Sequence, residues 1–175
     1  MATFIRNELQ LVKEFDPKSK RHYVNGVLSV LHCHHYATLY TQLALDANET
    51  ELLKESASES FYEMMVDYFC KKNVKTISDR IEIGCQYFAA VGLGKMNVTN
   101  MNDNSGTVEL LKSHTDEGWI SKWGTFDKPI NYIGAGFIEA MFEAVLDEPK
   151  NSFEAKETAS IAMGAETSKF KVTRR

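Results

Sequence analysis

Apolar and polar positions along this chain fall into helical and strand-like periods. Phe4, Ile5, Leu9, Leu11, Val12 and Phe15 suggest a short amphipathic helix over 4–15, broken by Pro17 and a basic run. Leu28, His32, His35, Leu39 and Leu43 share one face of a helix predicted over about 25–46, apolar around much of its circumference. Asn48 with Glu51 reads as the cap of a third helix, 49–72, with Leu53, Ala57, Phe61, Met64, Met65 and Tyr68 inward. A fourth, 78–93, is capped at Thr76 or Ser78, carries Ile81, Cys85 and Phe88, and ends at Gly92 and Gly94.

The period then drops to two. Met96, Val98 and residues 107–114 form a hairpin turning at 103–106, with Val108, Leu110, Lys112 and His114 on one face. Residues 115–128 look irregular and aromatic. A helix over 130–147 follows, with Asp127 and Pro129 at its start and Gly134 and Gly136 inside it. Each of those glycines costs about 1 kcal/mol, which predicts close approach of another backbone. Two strands end the chain, and Glu157 sits on the apolar face of the first. Helices, hairpin, helix, hairpin implies α+β, an antiparallel sheet with helices packed on one side.

Composition changes little. The chain is 175 residues, 43% hydrophobic and 25% charged, which suits one domain over 22–175 with an N-terminal arm or helix over 1–21. A net charge of −4 argues against nucleic acid and against an anionic membrane surface. No apolar run is long enough to span a bilayer. Three dispersed cysteines without a C-x-x-C pair point to reduced thiols in a cytoplasmic protein.

The candidate chemistry lies in the histidines and aromatics. His32 and His35, three apart on one helical face, make a workable metal-ligand pair. His114, Asp116, Glu117 and Glu157 are candidates to complete it. His34 points away from that pair. The alternative is core histidines hydrogen-bonded to backbone or to Tyr36 or Tyr40, with Glu157 paired to a lysine or arginine. Trp119, Trp123, Phe126, Tyr132 and Phe137 suit the wall of an apolar pocket. A pocket lined by His32, His35, Tyr36, His114, Trp119, Trp123 and Phe137 is expected to take a small hydrophobic or aromatic molecule. Metal-assisted hydrolysis or isomerisation by His32, His35 and His114, with Glu117 or Glu157 as base, is the competing expectation. A structural partner-binding module is the third.

From Tyr132 onward the chain resembles the 4-vinyl reductase domain family. The likeness rests on Gly136-Phe137-Ile138-Glu139-Ala140-Met141-Phe142-Glu143-Ala144-Val145 and on Glu157-x-x-Ser160-x-Ala162-x-Gly164-x-x-x-Ser168-x-Phe170. The second stretch is similar to the family's Glu-x-x-Cys-x-Ala-x-Gly-x-x-x-Cys-x-Phe. The histidine-rich segment and Ser113-His114 also resemble relatives that hydrolyse a cyclic thiazoline amino acid. The resemblance implies a fold shared with haem-NO-binding-associated domains and tethering subunits. It also implies an internal pocket for an aromatic hydrocarbon or tetrapyrrole, haem among them, and a homodimer. In many members the motif's Glu and Cys residues hold a structural zinc. Serine at 160 and 168 is a poor zinc ligand, so that zinc is expected to be absent.

Overall fold

A computed structural model describes residues 8–30 and 32–175. Its framework is a four-stranded antiparallel sheet in the order β4-β5-β7-β6. The strands are β4 (Gly94–Met101), β5 (Ser105–Ser113), β6 (Phe153–Ala159) and β7 (Ser168–Arg174). Val108, Leu110, Phe153, Ala155, Phe170 and Val172 point inward and are buried, while Lys156, Lys169 and Lys171 point out. The α+β expectation holds, with one sheet face covered.

The covering helices are α2 (Thr50–Lys72), α3 (Ile77–Ala90) and α5 (Tyr132–Val145). Phe137 on α5 meets Phe61 of α2 at 4.8 Å and Phe88 of α3 at 5.0 Å between ring centres. Phe142 packs on Phe153 of β6 at 5.7 Å. The glycines of α5 have the reasons their cost demands. A Cβ on Gly136 would run into the Lys54 carbonyl and lie 3.0 Å from Ala57 Cβ, so this glycine sets how closely α2 and α5 cross. Gly134 instead makes room for the Asn131 side chain that caps α5, its N–H donating to Asn131 Oδ1 at 2.9 Å.

Several local expectations change. No helix occupies residues 8–15; Lys13–Asp16 is strand β1, paired with β2 (Arg21–Val24), and Phe4 and Ile5 lie outside the described residues. That hairpin straddles residue 21, where the arm was expected to end. The helix expected from residue 25 begins only at His34 (α1, His34–Ala47), because Asn25 and Gly26 turn the chain into β3 (Val27–Ser29). Both have positive φ, 50° and 81°, as a two-residue hairpin requires. Asn48, expected as an N-cap, ends α1 in the left-handed conformation at φ 58°. The middle hairpin turns at 102–104, where Asn102 Oδ1 accepts from the Asn104 and Ser105 N–H groups. The segment expected to be irregular contains α4 (His114–Trp123), and α5 begins after Asn131.

Candidate functional site

The strongest concentration of buried polar chemistry lies where β5 hands over to α4. The inward phase of β5 runs through Val108 and Leu110, then slips. A register shift at Lys95/Met96 on the partner strand leaves Lys112 exposed and Ser113 fully buried. Ser113 caps α4, its Oγ accepting from the Asp116 N–H at 3.2 Å. Asp116 is thereby carried inside, with 0% exposure.

A buried carboxylate must be compensated by donors or a counter-charge. Donors surround Asp116. Ser160 Oγ and the Ala162 N–H donate to Oδ1 at 3.1 and 3.3 Å. Asn131 Nδ2 donates to Oδ2 at 2.8 Å, Ser168 Oγ approaches the same oxygen at 3.5 Å, and the Ser113 hydroxyl donates to it as well. Asn131 extends the network, since its own N–H donates to Glu157 Oε2 at 3.2 Å. One knot thus ties together α4, α5, β6, β7 and the 3-10 turn Ile161–Met163.

Glu157 is the second carboxylate of the knot. Burial, and then the charge of Asp116, push its carboxyl up to about 7, against the pull of the Ser160 and Ser168 hydroxyls and the Asn131 N–H. Its Oε1 is enclosed without a hydrogen-bond partner. The lysine or arginine partner of the alternative reading is not found on Glu157 among the described residues.

These contacts also test the zinc implied by the family motif. Ser160 and Ser168, at the cysteine positions, direct their hydroxyls to Asp116. An uncharged hydroxyl does not replace thiolate as a zinc ligand, and the donor set therefore does not fit zinc.

The histidines are arranged differently from expectation. His32 lies ahead of α1, exposed, with its ring 5.7 Å from that of Tyr36 and 5.9 Å from that of Tyr40. His35 is exposed against His34 at 4.3 Å. The histidine that faces His114 is His34, at 6.0 Å between ring centres. Together with Glu117 and Ser121 they line a shallow notch floored by Gly118. Among the described residues no three His, Cys, Asp or Glu side chains assemble a metal site.

The aromatic candidates divide. Trp119 is buried beside Phe126 and Ile130, while Trp123 lies at the surface with Lys122 Nζ 4.2 Å over its ring. Tyr36 is exposed. Phe137 is fully buried in the main core between α2, α3 and α5, away from the histidines. There Met141 rests its side chain on Gly84 of α3, with Sδ 2.8 Å from where a Cβ would stand. Phe88, Phe137, Met65 and Met141 fill this cell with the chain's own atoms.

Sequence reasoning flagged Glu157 and Asp116 and named Ser113 only with His114; it placed neither Ser113 nor Asn131 against the Asp116 carboxylate. Their signals were there: Ser113-x-x-Asp116 is a capping spacing, and Asn131 stands immediately ahead of an apolar helical run.

No family model matches the sequence, and no curated protein matches it. Solved structures do. The phenol-responsive sensory domain of the transcription activator PoxR, crystallised with phenol, superposes with a TM-score of 0.76 at 12% identity, over 93% of this chain and 84% of that one. A vinyl-4-reductase family protein from Methanocaldococcus jannaschii gives 0.55 at 16% identity, covering 84% of each chain. Subunit 3 of a trafficking protein particle complex from Naegleria fowleri, covalently bound to palmitic acid, gives 0.50 at 16% identity, over 81% and 91%. The chain has a 4-vinyl reductase-like fold. At these identities the likeness establishes the fold alone.

Proposed function

We propose that this chain binds a small aromatic or hydrophobic molecule in the cell now filled by Met141. The observation that carries the reading is that side chain: an unbranched methionine lies over a glycine, in the same buried cluster as the contacting rings of Phe88 and Phe137. Methionine has three rotatable bonds and repacks at low cost. Its withdrawal from Gly84 opens a space within a core rich in aromatic rings, which suits a flat apolar ring. The phenol-responsive domain with the same fold supports this ligand class.

Calorimetric titration with phenol, and separately with haem as a tetrapyrrole probe, tests the reading. Phenol binding that Gly84→Leu abolishes is the expected result, since a leucine there fills the vacated space. No binding of phenol or haem by the wild type overturns it.

A second reading is a structural partner-binding module, favoured by the core being filled with its own side chains. In that case Gly84→Leu costs stability and changes nothing else.

A further inference from the structure

The cell around Met141 is enclosed: Met65, Phe88, Phe137 and Met141 are each 1% exposed or less. The sheet closes one side with its hydrogen-bonded ladder. Helix α5 is buried from Gly134 to Val145, and Gly136 sets it tight against the α2 backbone. The seam between α2 and α3 is different. Its outer edge is a pair of rings, Tyr68 of α2 and Tyr87 of α3, edge to face at 5.3 Å.

An extended strap, Glu8 to Val12, lies over that seam. Leu9 and Leu11 pack half-buried on the core beneath it. From Glu8 to Leu11 the strap is held through side chains of the helices. The Leu9 N–H donates to Gln86 Oε1 of α3 at 2.7 Å, the Gln10 N–H to the Tyr68 hydroxyl at 2.8 Å, and Lys72 Nζ to Gln10 Oε1 at 2.9 Å. Among the described residues, Glu8 to Leu11 make no backbone–backbone hydrogen bond. Such a segment opens without breaking a helix or a strand pair, which puts it at the low-stability end of local unfolding. Its far end is fixed. The Asn25 N–H donates to the Val12 carbonyl and the Val12 N–H to Asn25 Oδ1, both at 2.9 Å, while Asn25 Nδ2 donates to the Tyr87 hydroxyl at 2.7 Å.

Two clefts flank the strap. One, about 250 Å³, is lined by Glu8, Gln10, Tyr68 and Ile83; the other, about 290 Å³, by Val12, Met64, Tyr68 and Tyr87. Tyr68 lines both, so the strap is what divides them. Lifting it joins them into one groove along the seam. Ile83 lies in that groove, and Gly84, over which Met141 rests, is the next residue of α3. The hydroxyls of Tyr68 and Tyr87 each accept a bond and donate none to a described group. Their protons are therefore open to an oxygen on a molecule passing inward.

We propose that Glu8 to Val12 is a lid, hinged at Val12 and Asn25, whose release from Tyr68 opens the α2–α3 seam to a small oxygen-bearing aromatic molecule entering the Met141 cell. As an entrance it rests on the ligand reading above; as an opening segment it stands by itself.

Hydrogen exchange on the ligand-free wild type tests the opening and needs no variant. The Leu9 and Gln10 amides are expected to exchange through local opening, at least about a hundredfold faster than the α5 amides. Strap amides that exchange only at the α5 rate overturn the lid. Nitration of Tyr87 by tetranitromethane, also without ligand, is expected to speed up at least about threefold in Tyr68→Phe, which deprives the Gln10 N–H of its acceptor. An unchanged nitration rate overturns the lid too. Stopped-flow mixing with phenol tests the entrance. In Tyr68→Phe, association and dissociation are expected to accelerate together, at least about threefold, with Kd held within about twofold, because a lid sets how often the cell opens and not how well it holds. Rates that stay at wild-type values, or a Kd that shifts alone, overturn the entrance. A wild type that binds no phenol sinks the ligand reading, and exchange and nitration then decide the lid.

Discussion

The hydroxyl of Ser160 donates to Asp116 Oδ1 across 3.1 Å, so a position where the family motif has a metal ligand here serves a carboxylate. The charge logic is inverted. A zinc ion gathers anionic thiolates around a cation, whereas this knot gathers neutral donors around an anion.

Asp116 is therefore the residue whose loss the knot tolerates least. In Asp116→Ala, Ser113, Asn131, Ser160 and the Ala162 N–H all lose their acceptor inside the protein. Each such orphan costs about 1–3 kcal/mol, and a loss on the order of 4 kcal/mol is expected in urea unfolding. Asp116→Asn keeps the shape but turns an NH₂ toward donors, and is expected to recover less than half of the loss. Dialysis of the wild type against a chelator is expected to leave its stability unchanged.

Glu157 makes stability depend on pH. Its ordinary value is 4.5 and its folded value about 7. Between those limits the folded chain holds a proton that the unfolded chain has released. Stability therefore falls as pH rises through this window, by on the order of 3 kcal/mol for the full shift. Glu139 and Glu143 are also pushed up, by burial first, and slope the same way. Urea midpoints from pH 4.5 to 8 for wild type and Glu157→Gln isolate the Glu157 part, and the variant is expected to show the shallower decline.

Two glycines should respond differently to alanine. At Gly136 the new methyl meets the Lys54 carbonyl and the Ser58 N, which are backbone and cannot step aside. At Gly84 it meets only the flexible end of Met141. Gly136→Ala is expected to cost about 2 kcal/mol or more through overpacking. Gly84→Ala is expected to stay within about 1 kcal/mol, because helix propensity offsets part of the strain. Thermal unfolding of both variants checks the contrast.

Lys54 is buried and pairs with Glu139 at 3.5 Å and Glu51 at 2.6 Å. Lys54→Met leaves the Glu139 carboxylate enclosed with less compensation and is expected to cost about 3 kcal/mol. Adding Glu139→Gln is expected to return most of it, because the amide keeps an acceptor for the Ala155 N–H, which now donates to Glu139 at 2.9 Å. A double-mutant cycle measures the coupling.

The α+β class, α3 with its Thr76 cap, the last hairpin and the inward Glu157 were all legible, because each rests on local periodicity or capping. The region around His32 was not. Its apolar run imitates a helix, yet Asn25-Gly26 at its head was a direct hairpin signal that the run outweighed. Helix α4 was obscured by Gly118, whose place in a helix makes sense only once His34 and Thr38 are seen against it. Ser113 was hidden by the register slip opposite Lys95/Met96, where Leu111 is the extra residue of β5 and inside and outside are reversed beyond it. Such information lies in the pairing of distant segments, and no single segment displays it.

The position of β5 bears on how the chain is made. It is a central strand, but its second neighbour is β7, paired from Ser105↔Thr173 to Leu110↔Ser168. During synthesis at ~5–20 residues per second, the β4–β5 hairpin emerges several seconds before that partner. Through this interval Val108 and Leu110 sit on a strand with an open edge, the kind of surface that pairs with other chains. Closing the ladder must wait for a loop of about sixty residues. Crowded, newly made copies are thus most exposed to misassembly at β5, and slowing synthesis beyond α5 lengthens the exposure.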